Sequence, residues 1–170
     1  MIDDILIIER DCFGDERGSF SKLFIHVGKP IVQVNHSVTH EKGTTRGLHY
    51  QKPPYAEIKV VSCIHGFVYD VSVDLRKDSK TYLQWFSHVL SEENRKTIVI
   101  PEGFAHGFQV LSDDAELVYL HTNYYVKSSE DGLHVLDKAL GIVWPFPVRN
   151  LSERDKGFRF IDDGFEGVRI

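Results

Sequence analysis

Short runs of β-branched and aromatic residues recur along the chain, each broken by a cluster of Gly, Pro, Asp or Asn, and predict strands rather than helices. The sharpest run is Phe67 to Leu75. Phe67, Tyr69, Val71, Val73 and Leu75 alternate there with Val68, Asp70, Ser72 and Asp74, predicting one apolar and one largely polar face. Further strands are predicted over Asp4–Ile8, Ile31–Val38, Ile58–Ile64, Thr81–Leu90, Thr97–Ile100, Phe104–Leu111 and Ala115–Asn123. Turns are expected at Phe13–Gly18, at His65-Gly66 as a hairpin, at Ser91–Asn94, at Pro101–Gly103 and at Asp113-Asp114. One short helical turn is predicted near the end, capped by Ser152 and stopped by Gly157. About ten short strands with so little helix argue for an all-β sandwich or barrel. Polar residues on one face of an apolar strand suit a barrel that encloses a polar ligand, and a jelly roll is the expected fold.

Length and charge narrow the function. A chain of 170 residues is read as a single domain, residues 1–170, large enough to bury roughly 70% of its unfolded surface and still hold a cavity. The 20 Lys and Arg against 25 Asp and Glu leave a net charge of -5 with no basic run, so nucleic acid is not an expected partner. Residues Met1 to Glu9 carry acids where a signal peptide has bases, and no stretch has the length of a membrane span. The expectation is a soluble cytoplasmic protein with two thiols, Cys12 and Cys63.

The densest chemistry lies in Thr44-Thr45-Arg46-Gly47-Leu48-His49-Tyr50-Gln51, with Lys59 ten residues beyond His49. An imidazole titrates near neutrality and is the commonest general base. Most of the nine histidines are expected to be structural; His49 stands out for its company, a guanidinium and an ammonium on adjoining strands. On pattern alone Tyr119 alternates with Leu117 and His121 as a packing residue, and Asp70 with Asp74 reads equally well as an acidic pair or a solvated sheet face. Arg17 offers the planar fork that suits phosphate. A metal-dependent barrel would want a His-x-His pair, and position 51 is Gln51. His36 and His40 are four apart in a strand and His106 is isolated, so the pattern speaks against a metal.

Taken in order, Phe13-Gly14-Asp15-Glu16-Arg17-Gly18, Asn35-His36-Ser37, Arg46 to Gln51, Val71 to Arg76, Pro101 to Phe108, Asn123-Tyr124-Tyr125 and Leu140 to Pro145 resemble the RmlC-type nucleotide-sugar epimerases, the dTDP-4-dehydrorhamnose 3,5-epimerase family. The resemblance implies a cupin-type jelly-roll barrel with a short helical C-terminal segment, no metal or organic cofactor, and a homodimer with exchanged N-terminal strands. It places the catalytic base at His49, its carboxylate partner at Asp155, the lysine at Lys59 and the tyrosine acid at Tyr119. Substrate contacts are implied at Arg17, Phe20, Gln33, Asn35, Arg46, Asp70, His106, Tyr125 and Glu130. The chain departs from the family pattern at Ser19, Lys22, Val34, Ser62 and Val135, so the nucleotide base and the exact sugar stay open.

These residue types suit proton transfer beside a ketone. A 4-keto sugar has acidified C–H bonds at C3 and C5, which a histidine can break while a lysine steadies the enolate oxygen. The expected activity is a cofactor-independent epimerisation of a nucleotide-diphospho-4-keto-6-deoxy sugar. The alternatives are a single-centre epimerase of a related sugar, a metal-dependent cupin enzyme and a non-catalytic sugar-nucleotide binding module.

Overall fold

The computed structural model describes residues 4–23 and 26–170, arranged as ten strands and one short helix. β1 (Leu6–Glu9) pairs antiparallel with β8 (Lys96–Ile100), and β2 (Cys12–Asp15) with β3 (Gly18–Ser21) forms a separate hairpin. The main body contains β4 (Gln33–His40), β5 (Thr45–Gln51), β6 (Lys59–Asp74), β7 (Trp85–Ser91), β9 (Phe104–His121) and β10 (Glu130–Gly132). α1 (Glu153–Lys156) lies near the C-terminus.

Two long strands organise everything else. β6 and β9 pair with each other from Lys59↔His121 to Asp74↔Phe104, with register shifts at Cys63/His65 and Gly66/Val68. Their ends nearest Lys59 and His121 carry β8, β1 and β4 as neighbours, while their other ends carry β7, β5 and β10. Strands that pass from one layer to the other through bulges make the corners of a closed sandwich, and the result is a cupin-like jelly roll.

The hairpin expected at His65-Gly66 is therefore not present: β6 bends there without reversing, and the turn expected at Asp113-Asp114 is likewise inside β9. Gly66 takes φ +67, and a Cβ at that position would collide with the Asp114 carbonyl. The glycine marks a close crossing of two strands. The turn predicted over Phe13–Gly18 is the tip of the β2–β3 hairpin. The capped turn near the C-terminus forms as expected, Ser152 Oγ accepting from the Asp155 N–H at 3.1 Å.

The alternation in Phe67–Leu75 settles the orientation of the layers. Val68 joins the core between them, with Val61, Cys63, Phe104, Phe108, Val110 and Leu117. Asp70, Ser72 and Asp74 lie on the same face and are fully buried, so the solvated acidic face considered above does not exist. Val71, Val73 and Leu75 face the other way and are covered by Leu133, Val135, Leu140, Phe165 and Val168 from the C-terminal segment. Each such aliphatic side chain contributes roughly 1.5–3 kcal/mol on burial, which ties the tail to the barrel.

Asp74 is an anchor. It accepts from Arg76 Nε and Nη2, Ser79 Oγ and Thr81 Oγ1, all within 3 Å. Burial opposes its charge, but these donors win and hold its pKa at about 2.

Candidate active site

One cavity of about 260 Å³ collects most of the residues singled out in the sequence. β5 gives it Arg46 and His49, β6 gives Lys59, β9 gives His106, Tyr119 and His121, and β4 gives Asn35 and Ser37. Tyr125, Glu130 and Arg154 also line it. A larger groove of about 570 Å³ lies around Arg76–Thr81 and Val168–Ile170. There Arg76 is held by Asp74 and Asp4 and Lys77 by Glu166, so much of its charge is already paired.

His49 lines the smaller cavity, and the buried Asp155 meets it from behind, with Nε2 and Oδ1 2.8 Å apart. Asp155 also accepts from the Gly47 N–H at 3.2 Å. Gly47 has φ +119, and a Cβ there would stand 2.6 Å from the Gly107 Cα; only a glycine lets β5 lie this close to β9 while turning its N–H toward the carboxylate. Burial disfavours the Asp155 charge, yet the His49 bond and charge, the Gly47 N–H and Ser152 lower its pKa to about 2. It is an anion at any working pH, and its bond to Nε2 fixes the histidine tautomer.

His49 itself is pulled below the ordinary imidazole value. Burial is the main cause, and Lys59 and Arg154 add to it, while Asp155 acts in the opposite direction. The Arg154 guanidinium lies 3.1 Å from Nε2 and its Nε 3.4 Å from Asp155 Oδ1. Because Nε2 already donates to Asp155, Arg154 acts on His49 as a charge. Arg154 is steadied from behind by Glu130 at 2.9 Å, which in turn accepts from the Tyr125 hydroxyl at 3.0 Å.

Lys59 is one-tenth exposed; its Nζ donates to the His49 carbonyl at 3.3 Å and lies 3.5 Å from Glu57. Tyr119 packs on the core, as its alternation predicted, and also presents its hydroxyl to the cavity, 3.3 Å from Ser37 Oγ. Burial raises its pKa, so the phenol keeps its proton. Asp70 lies beneath the cavity and holds His106 Nε2 at 2.7 Å, both fully or nearly fully buried. Gln33 stands behind Asn35 and accepts from the Tyr125 N–H at 3.1 Å.

Gln33 and Asp70 thus stand behind the cavity wall rather than in its lining, and two further expected contacts are not brought near it. Arg17 and Phe20 sit on the β2–β3 hairpin, both largely exposed, and Arg17 is paired with its neighbour Asp15. That hairpin forms its own two-stranded sheet, with no strand of the barrel beside it, so within one chain neither residue lines the cavity.

The sequence reading missed Glu57, His121 and Arg154. Glu57 precedes Lys59 by two, and Arg154 directly precedes Asp155, so proximity to a chosen residue was the one available signal. Among the described residues no cluster of three or more His, Cys, Asp or Glu is disposed to hold a metal ion.

The family model described as dTDP-4-dehydrorhamnose 3,5-epimerase matches residues 1–163. The chain belongs to the dTDP-4-dehydrorhamnose 3,5-epimerase family. A relative of that name from Shigella flexneri is 48% identical over 170 residues, covering 95% of this chain and 93% of its own. The crystal structure of the Legionella pneumophila enzyme RmlC in complex with dTDP-4-keto-L-rhamnose superposes with a TM-score of 0.91 at 40% identity, covering 99% of this chain and 95% of that one. ChmJ, a 3'-monoepimerase from Streptomyces bikiniensis solved with dTDP-quinovose, also matches, with a TM-score of 0.85 at 32% identity over 92% of this chain and 83% of its own. The chain is thus similar both to enzymes named for inverting two centres and to one named for inverting a single centre.

Proposed function

We propose that this chain is an isomerase that epimerises a dTDP-4-keto-6-deoxy sugar at C3 and C5. The observation that carries the reading is the His49–Asp155 pair at 2.8 Å in a cavity that Tyr119 and Lys59 also line. With the Nε2 proton committed to Asp155, the lone pair on His49 Nδ1 is the one free to take a proton from carbon. Asp155 then offsets the imidazolium charge. Lys59 supplies the positive charge for the enolate that forms at C4. Tyr119, protonated at neutral pH, returns a proton from the other side of the ring and inverts the centre. Arg46 and Arg154 are the guanidiniums at hand for the diphosphate.

Arg17 and Phe20 fit this reading through a second copy of the chain. We infer a homodimer in which the N-terminal strands exchange, so that each hairpin covers the partner's cavity. The exposure of Phe13 and Phe20, 59% and 67%, is what such an arm would show without its partner. The whole chain is read as one catalytic domain of a cytoplasmic enzyme.

Proton NMR of the enzyme with dTDP-4-keto-6-deoxyglucose in D₂O tests the reading. Loss of both the C3 and C5 proton signals is expected. Loss of one alone would make it a single-centre epimerase, the reading favoured by the match to ChmJ. Retention of both would overturn the assignment to this substrate.

A further inference from the structure

We propose that Glu57 and His121 are positioning residues: a one-way hydrogen-bond chain from the cavity rim holds His121 neutral with its proton on Nδ1, and through Glu57 aims the Lys59 ammonium. The role assigned to Lys59 rests on the proposed reaction; the chain itself rests on geometry alone.

The direction of the chain follows from its two ends, both of which can only donate. At the rim, the Tyr125 backbone N–H donates to Gln33 Oε1 at 3.1 Å. This fixes the Gln33 amide, whose Nε2 donates to Asn35 Oδ1 at 3.1 Å. The Asn35 amide is fixed in its turn and presents Nδ2 to His121 Nε2 at 3.2 Å. A nitrogen that faces an amide NH₂ must accept, so Nε2 carries no proton and Nδ1 does. Nδ1 then donates to Glu57 Oε2 at 2.8 Å. At the far end the Lys59 ammonium, which has no acceptor atom, lies 3.5 Å from the other oxygen, Oε1. All polarity converges on the Glu57 carboxylate.

Burial gives this arrangement its consequence. The side chains of Glu57, His121 and Lys59 are 8%, 10% and 11% exposed, so none has bulk water as an alternative partner, and breaking one link leaves a buried group unsatisfied. Burial works against the Glu57 charge, but His121 and Lys59 together hold its pKa below the ordinary carboxylate value. Lys59 is thus held from two sides, by Glu57 and by the His49 carbonyl at 3.3 Å. An ammonium on a flexible stem needs such guides to meet a developing oxyanion.

The experiment uses full-length protein labelled with ¹⁵N-histidine and read by long-range ¹⁵N–¹H correlation without substrate. His121 is expected as the neutral tautomer protonated on Nδ1; protonation on Nε2, or on both nitrogens at neutral pH, overturns the proposal. Gln33→Glu tests the coupling from a distance. Its carboxylate still accepts from Tyr125 but faces Asn35 with an acceptor, so the Asn35 amide must turn over and present its oxygen to His121. Nε2 is then expected to gain a proton while Nδ1 keeps the one it gives to Glu57, and an unchanged His121 signal means that no chain exists. Glu57→Gln tests the positioning role: kcat for C–H exchange is expected to fall by up to ~10²-fold, with KM within about threefold of wild type. A loss confined to KM, or none, overturns that role. Wild-type protein that exchanges neither proton overturns the reaction reading and the Lys59 role with it, while the tautomer measurements still decide the chain.

Discussion

Asp155 reaches across 106 positions of sequence to bond His49 at 2.8 Å, and it does so from a helix only four residues long. The geometry is over-determined: Ser152 caps the turn, the Gly47 N–H holds the second carboxylate oxygen, and the aromatic ring of Phe158 stands edge-on to the imidazole with centroids 5.6 Å apart. As the proposed base, His49 held this way would need no reorganisation to take a proton.

Two variants follow from that pair. His49→Ala is expected to lose C–H exchange by roughly 10²–10⁴-fold, the usual worth of a general base. Asp155→Asn should fall within the same range, because an amide can turn its NH₂ toward Nε2 and move the ring proton to Nδ1. Deuterium incorporation followed by NMR reads both, and exchange at the wild-type rate in His49→Ala would sink the assignment.

The acid limb of activity reports the same residue. As the proposed base His49 would work only when neutral, and its pKa is lowered mainly by burial, with Lys59 and Arg154 adding and Asp155 opposing. The groups around it are Asp155 and Arg154 on α1, Lys59 on β6, and His106 and Tyr119 on β9. The kcat/KM profile, which reports the free enzyme, should therefore fall on the acid side with a midpoint below about 6.5. Arg154→Gln removes a cation beside the imidazolium and should move that limb to higher pH. A limb that stays in place would show that Arg154 does not act on His49.

Tyr119→Phe separates the two halves of the reaction. In the proposed reaction, abstraction by His49 leaves the phenol untouched, whereas inversion needs its proton. The variant is expected to exchange substrate protons for deuterium and to return them to the same face. Wild-type yields of inverted sugar from this variant, measured by NMR of the product, would assign the acid elsewhere.

Acid stability has a separate source in Asp74. Its folded pKa, about 2, lies below the unfolded value near 3.9. A depressed folded value means that the stabilisation is fully present above about pH 4 and disappears as pH falls through 2. The shift corresponds to roughly 2–3 kcal/mol, and Asp74 has no solvent exposure to screen it. Asp74→Asn should cost about that much in urea unfolding at pH 7 and flatten the loss of stability between pH 4 and 2. An equal acid dependence in wild type and variant would count against it.

What could be read in advance was local. Arg46 to Gln51 carries its chemistry within a few residues and lies at the cavity; Ser152 to Asp155 read locally only as a capped turn, and the pairing of Asp155 with His49 was signalled by the family resemblance. The alternation of Phe67–Leu75 was legible too, but not which face would be inside, because that depended on Leu133 to Val168 covering Val71, Val73 and Leu75. His65-Gly66 and Asp113-Asp114 read as turns since the same residues that reverse a chain also let a strand bend between layers. Glu57 was invisible for a different reason. Its partner His121 lies 64 residues away, and nothing in either neighbourhood announces the other.

Arg17 and Phe20 pose the remaining test, and it can be made without a structure of the assembly. If arms are exchanged, each cavity uses His49 from one protomer and Arg17 from the other. Arg17→Ala should then weaken substrate binding, seen as a higher KM, although among the described residues of the single chain the side chain of Arg17 hydrogen-bonds Asp15 alone. Mixing inactive His49→Ala protein with Arg17→Ala protein, after dissociation and reassembly, should restore sites in which the intact His49 of one chain faces the intact Arg17 of the other. The expected result is a mixture with lower KM than Arg17→Ala alone, on a fraction of the sites. A mixture that behaves as the sum of its parts would mean that the hairpin serves its own protomer or no site at all.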